Sequence, residues 1–167
     1  DLKDIAWPIL QQNGFKPIVF AVAEEMGKTN FWDERIGLPS RDLLNVQELR
    51  TLQSMGAEIG SHGMRHRTLP GLTEGEQIWE MQESRKLLEA VLGTPVTSFC
   101  YPHGNFTRRL MALASEAGYD VACCSFPGWN TRASSPYAVR RSCIDSSMSD
   151  SDFSAQVTHP ALVRLRF

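Results

Sequence analysis

A chain of 167 residues, 42% hydrophobic and 22% charged, has the length of one domain and the composition of an ordinary globular protein. Its net charge of −2 and the scatter of its basic residues argue against nucleic acid or an anionic membrane surface as the main partner. No apolar run approaches the roughly 20 residues that span a bilayer, and the opening Asp1-Leu2-Lys3-Asp4 has no signal-peptide character.

The opening lacks a Met and starts inside a helical pattern with no strand before it, which reads as a processed or partial chain. Residues 4–12 read as that helix, with Ile5, Ile9 and Leu10 apolar and Gly14 as the stop; Pro8 fits only in its first turn. The apolar run 17–22 suits a strand buried on both faces. A polar loop with Gly, Trp and Pro follows over 27–40. Asn45 with Glu48 forms a capping arrangement for a helix that Gly56 ends. Thr73 and Glu76 form a second capping box. From there Ile78, Met81, Leu88 and Leu92 keep one helical face apolar up to Gly93. Leu110, Leu113, Ala114 and Ala117 mark another helix, closed by Gly118. Strand-like runs lie between these helices, at 58–60, 96–101, 121–125 and 139–144. The alternation predicts a parallel α/β fold with its chemistry at the carboxyl ends of the strands, and an open sheet and a barrel fit it equally. Cys100, Cys123, Cys124 and Cys143 include no CxxC pair, so they read as buried free thiols and assign no compartment.

Two stretches carry candidate chemistry. Gly60-Ser61-His62-Gly63-Met64-Arg65-His66 ends the 58–60 strand. Its two histidines, three residues apart, can converge on one ion from a helical turn or from a loop folding back. Imidazole suits zinc, iron, cobalt or nickel. Two ligands are too few for a catalytic zinc, which normally has three protein ligands and an open position for water, so a carboxylate must come from elsewhere. The second stretch, Phe99-Cys100-Tyr101-Pro102-His103-Gly104-Asn105, ends the next strand. It reads either as a rigid loop aiming backbone N–H groups at a ligand oxygen, or as a plain turn with Asn105 or Thr107 capping the helix beyond it.

Taken together, with their spacing, residues 59–144 resemble the NodB homology domain of carbohydrate esterase family 4, the polysaccharide deacetylases. Ser61 to His66 is similar to that family's HxxxH motif, with Arg67 where a Pro is common; Phe99 to Gly104 is similar to its FxYPxG variant. Glu83-Ser84-Arg85, Glu116-Ala117-Gly118-Tyr119 and Pro136-Tyr137-Ala138-Val139-Arg140-Arg141 fit the pattern as well. The resemblance implies one domain over 1–167 with a distorted (β/α) barrel, incomplete at its N-terminal strand. It implies a metal-dependent hydrolase removing acetyl groups from N-acetylated, or O-acetylated, sugars of a bacterial polysaccharide or oligosaccharide, by attack of a metal-activated water on the acetyl carbonyl. His62 and His66 would hold the metal, zinc first, with cobalt, nickel or iron as alternatives. The backbone N–H of His103 would stabilise the oxyanion, and Tyr101 and Pro102 would line the acetyl pocket. Cys100 stands where many members have an arginine, and Arg141, or its neighbour Arg140, is the candidate substitute. Trp129 and Trp32 would stack on sugar rings or pack against the domain.

Nothing in the chain matches the family's first motif, T-F-D-D-G, whose aspartates supply the base and the third ligand. The His of its fifth motif is also not evident, and His159 has the wrong context. By itself the chain is therefore expected to hold metal weakly and turn over little. Two alternatives remain: a non-catalytic carbohydrate-binding relative, or a cyclic amide or imide hydrolase of the same fold. Oligomeric state and compartment (envelope, secreted or cytoplasmic) stay open.

Overall fold

Four short strands lie side by side in the order in which the chain makes them, β1 (Ile18–Ala21), β2 (Glu58–Ser61), β3 (Ser98–Cys100) and β4 (Val121–Cys123), all parallel. The computed structural model describes residues 2–34, 36–144 and 147–158. Register is set by the pairs Phe20–Gly60, Ser61–Phe99 and Phe99–Ala122. Parallel neighbours need a crossover. The helices α3 (Val46–Ser54), α4 (Glu74–Leu92) and α5 (Arg108–Glu116) supply one each. The expected α/β class is therefore present as an arc of parallel strands carrying helices, the arrangement of a partial barrel.

Local chemistry explains the helix ends. Asn45 and Glu48 make a full capping box at α3, each side chain bonded to the other's backbone N–H at 3.0 Å. Thr73 and Glu76 do the same at α4, and Gly93 closes that helix in the left-handed conformation at φ 71°. Thr107, rather than Asn105, caps α5. Ahead of β1, a π-helical turn (Leu2–Ala6) runs into α1 (Trp7–Gln12), which takes Pro8 in its first turn. The 27–40 loop carries a one-turn helix, α2 (Phe31–Glu34), and α6 (Asp150–Val157), capped by Ser149, closes the described part of the chain.

The core gathers where the helices cover the sheet. Met81, Leu88, Val96, Phe99, Tyr101, Leu110 and Ala122 are fully buried, and Leu49, Leu52 and Leu113 nearly so. Each such Leu contributes roughly 1.5–3 kcal/mol by leaving water. Inside the core a polar thread links Ser61 Oγ to Ser84 Oγ at 2.8 Å and Ser84 Oγ to the Tyr119 hydroxyl at 3.3 Å. That hydroxyl donates to the Met81 carbonyl at 2.8 Å. Among the described residues no helix is long and apolar enough to cross a membrane.

Two expectations need correction. The strand predicted over 139–144 shrinks to a single bridge between Val139 and Cys123. The Arg141 side chain is the reason, because its Nε donates to the Cys124 carbonyl at 3.1 Å, the acceptor that the Arg141 N–H would take in a continuing parallel ladder. On the outer side, Asn130 accepts from the Arg140 N–H at 3.0 Å and donates to the Arg140 carbonyl at 2.9 Å. All four cysteines are free, and Cys100, Cys123 and Cys124 are buried as expected, but Cys143 is exposed because the strand that would have covered it does not form.

Candidate functional site

At the carboxyl end of β2 the chain leaves the sheet at His62, whose N–H still donates to the Ala21 carbonyl at 2.8 Å. The next residues form a loop rather than a helical turn. Its outer edge is tied to the turn after β1, with Ala23 N–H on the Gly63 carbonyl and Glu24 N–H on the Met64 carbonyl, both at 3.0 Å. His66 then adopts the left-handed conformation at φ 57°, which is uncommon for a residue with a Cβ. This turn brings the two imidazoles together, with ring centroids 4.9 Å apart. On its other sides His66 stacks on Trp32 at 4.2 Å and meets the edge of His103 at 4.6 Å. His103 sits in the turn Pro102–Gly104 after β3, also left-handed, at φ 58°.

The two HxxxH rings differ in their bonding. His62 Nδ1 lies 2.7 Å from the Cys100 carbonyl. A carbonyl only accepts, so Nδ1 carries the proton and Nε2 keeps its lone pair. His66 Nδ1 is buried without a hydrogen-bond partner among the described residues. Burial, followed by opposing contributions from the Cys100 carbonyl and the charges of Arg141 and His103, brings the His62 pKa down to about 4. Burial, then the neighbouring His62 and His103, brings His66 down to about 3. Both rings are thus neutral near pH 7, the state a metal requires of imidazole.

Arg141 reaches this end of the sheet, whereas Arg140 does not. Arg141 Nη2 donates to Cys100 Sγ at 2.9 Å and its Nε to the Cys124 carbonyl at 3.1 Å, with the guanidinium 5.4 Å from the Phe20 ring centre. Arg140 turns outward to the Pro127 carbonyl. Cys100 remains a thiol, because burial raises its pKa to about 11 against the pull of Arg141. Tyr101 is fully buried, with its hydroxyl on the Tyr137 carbonyl at 3.0 Å and its ring stacked on Phe106. Pro102 is buried too, and Trp129 is exposed on the loop after β4. An apolar cavity of about 170 Å³ opens beside His62, walled by Trp32, Phe20, Met26, Leu44 and Leu49. Tyr101, Pro102 and Trp129 do not line it. His159 lies outside the described residues.

The donor set fits two ligands of a divalent transition metal: two neutral imidazoles, one with a free Nε2 and one with an orphaned buried nitrogen. Among the described residues no three or more His, Cys, Asp or Glu side chains are grouped to hold an ion. A buried carboxylate that periodicity did not reveal stands behind the loop. Glu80 Oε2 accepts from the Met64 and Arg65 N–H groups at 2.7 and 3.0 Å. Its position in the Glu80–Ser84–Leu88 row of α4, four residues apart on the buried face, was the available signal.

Comparison with known proteins gives a consistent picture. The family model described as polysaccharide deacetylase matches residues 3–122. "Putative polysaccharide deacetylase YxkH" of Bacillus subtilis (strain 168) is 27% identical over 152 residues, covering 91% of this chain. The chain spans 50% of that relative's length. Among solved structures, the Streptococcus pyogenes deacetylase PplD in complex with acetate superposes with a TM-score of 0.80 at 18% identity, over 95% of this chain and 66% of that one. A mutant of BA3943, a CE4 family pseudoenzyme, superposes with a TM-score of 0.55 at 18% identity, over 70% of this chain and 37% of that one.

Proposed function

The chain belongs to the polysaccharide deacetylase family, and on that premise we propose that it carries the two-histidine share of a metal-dependent site removing acetyl groups from N-acetylated sugars of a polysaccharide. The observation that carries this reading is the convergence of His62 and His66 at the end of β2, with the His62 proton fixed on the Cys100 carbonyl. His62, through Nε2, and His66 would hold the ion, zinc before cobalt, nickel or iron. When bound, such an ion supplies Lewis acidity to the acetyl carbonyl and lowers the pKa of water.

The remaining work falls to the chain. Burial keeps both imidazoles unprotonated and available. The Cys100 carbonyl fixes the His62 tautomer, as an outer partner does for a ligating histidine. Arg141 steadies that carbonyl's residue through Cys100 Sγ. His103, in the turn after β3, offers its backbone N–H to the carbonyl oxygen as negative charge develops. Tyr101 and Pro102 form the rigid support of that turn, and Trp32 and Trp129 offer aromatic faces to sugar rings. Cleavage of the amide gives acetate and a free amine; an O-acetyl ester would give acetate and a hydroxyl.

A second reading has one observation in its favour, the lack of a third grouped ligand among the described residues. On that reading the domain binds acetylated sugar without hydrolysing it. The test is acetate release from N-acetylglucosamine oligomers, with a cyclic imide as comparison substrate, before and after chelation. Chelator-sensitive acetate release that His62→Ala abolishes supports the deacetylase. Release that survives chelation or the substitution contradicts it, and preferential imide opening redirects the substrate. Oligomer binding without turnover, weakened neither by chelation nor by His62→Ala, establishes the second reading.

A further inference from the structure

Helix α4 buries a carboxylate completely, since Glu80 has no exposed surface. A buried carboxylate costs several kcal/mol unless its oxygens are bonded. Both bonds it makes are through Oε2 and go to one place, while Oε1 is buried without a hydrogen-bond partner among the described residues. Glu80 Oε2 accepts from Met64 and Arg65, the two residues directly ahead of His66. Gly63 makes the approach possible: at φ +79° a Cβ there would come within 3.2 Å of Oε2 and 3.6 Å of Pro102 Cγ. The loop between the histidines is therefore clamped from both sides, its carbonyls by Ala23 and Glu24 and its N–H groups by Glu80. Directly after the clamped amides stands the left-handed His66, in a conformation costing about 1–2 kcal/mol outside glycine. That conformation places its ring against His62, Trp32 and His103.

We infer that Glu80 is a positioning residue for the site: its carboxylate holds the Met64 and Arg65 amides so that His66 is fixed in the geometry that meets His62. This rests on the reading of His62 and His66 as metal ligands. Glu80 is not the missing ligand, because it is not grouped with the histidines around a common point. What matters is an acceptor oxygen at Oε2, not the charge.

The test compares Glu80→Leu, which removes the acceptor at similar size, with Glu80→Gln, which can keep a carbonyl oxygen at Oε2. Three readouts are needed: Co²⁺ affinity by visible absorption, hydrogen exchange at the Met64 and Arg65 amides, and the His66 ring signals by NMR. In Glu80→Leu the expected result is Co²⁺ affinity down by about 10–100-fold, faster exchange at both amides and displaced His66 signals, with Glu80→Gln restoring all three. A folded Glu80→Leu with parental affinity and His66 signals overturns the inference. Should Glu80→Leu not fold, Glu80→Gln decides, and lost affinity with displaced His66 signals in that folded variant overturns it. Failure of the parent to take up Co²⁺ is a failure of the metal reading; the exchange and ring signals then still judge Glu80.

Discussion

Lowering the pH from 7 to 5 should destabilise this fold through the two histidines of the site. In the unfolded chain each has a pKa of about 6.5. In the folded chain His62 titrates at about 4 and His66 at about 3. A depressed folded pKa gives stability that is present above the unfolded pKa and is lost as pH falls toward the folded one. Between pH 7 and 5 the unfolded state takes up a proton at each histidine while the native state does not. Each site then loses about 2 kcal/mol, from about 1.4 kcal/mol per pH unit below 6.5, and the pair about 4 kcal/mol. At pH 5 both native rings are still neutral, so their mutual repulsion does not enter. Glu24, Glu74 and Glu76, whose pKa values are lowered from the usual 4.5 mainly by bonds to Arg65, Arg109 and Thr73, lose their contribution further down and stay largely out of this window. Urea unfolding monitored by circular dichroism at both pH values, with chelator present, measures the difference. A parent that loses less than about 1 kcal/mol, or a His62→Gln, His66→Gln variant with the same loss as the parent, would rule out this linkage.

Two further substitutions probe the support of the site. Gly104→Ala places a Cβ 2.5 Å from Ser125 Cβ and 2.6 Å from its N, at φ +74°; chemical denaturation should show a loss of about 2 kcal/mol or more, and an unchanged midpoint would contradict the tight turn at His103. Tyr119→Phe deletes the hydroxyl bonded to the Met81 carbonyl and should cost about 1–2 kcal/mol in the same assay, whereas a neutral result would mean that the polar thread contributes nothing.

The parts of this fold that were legible in the sequence are those governed by local rules. Asn45 with Glu48 and Thr73 with Glu76 announce helix starts because a capping box needs only neighbouring residues, and both boxes form. The HxxxH spacing and its place at a strand end located His62 and His66, although spacing alone left helix and loop equally open. What escaped depends on distant partners. Apolar periodicity passes over Glu80, because a helical face is counted by its hydrophobes and the amides that justify a buried carboxylate lie 15–16 residues away. The strand over 139–144 was lost to the Arg141 side chain, whose Nε takes the Cys124 carbonyl that the ladder would use next. Arg140 and Arg141 are alike in sequence, and only the packing of Cys100 against the later segment separates them. Trp32 is legible in the sequence as an aromatic that stacks on sugar or packs, but its place against His66 depends on a one-turn helix inside a stretch that reads as loop.

Everything proposed for this site depends on His62 and His66 forming a shared metal-binding pair, and a Co²⁺ titration of the purified chain probes that pair without intermediary. The expected result is a single saturable site with d–d absorption, abolished in a His62→Ala, His66→Ala variant that still unfolds cooperatively. Absence of saturable binding, or binding that persists in the double variant, would contradict it.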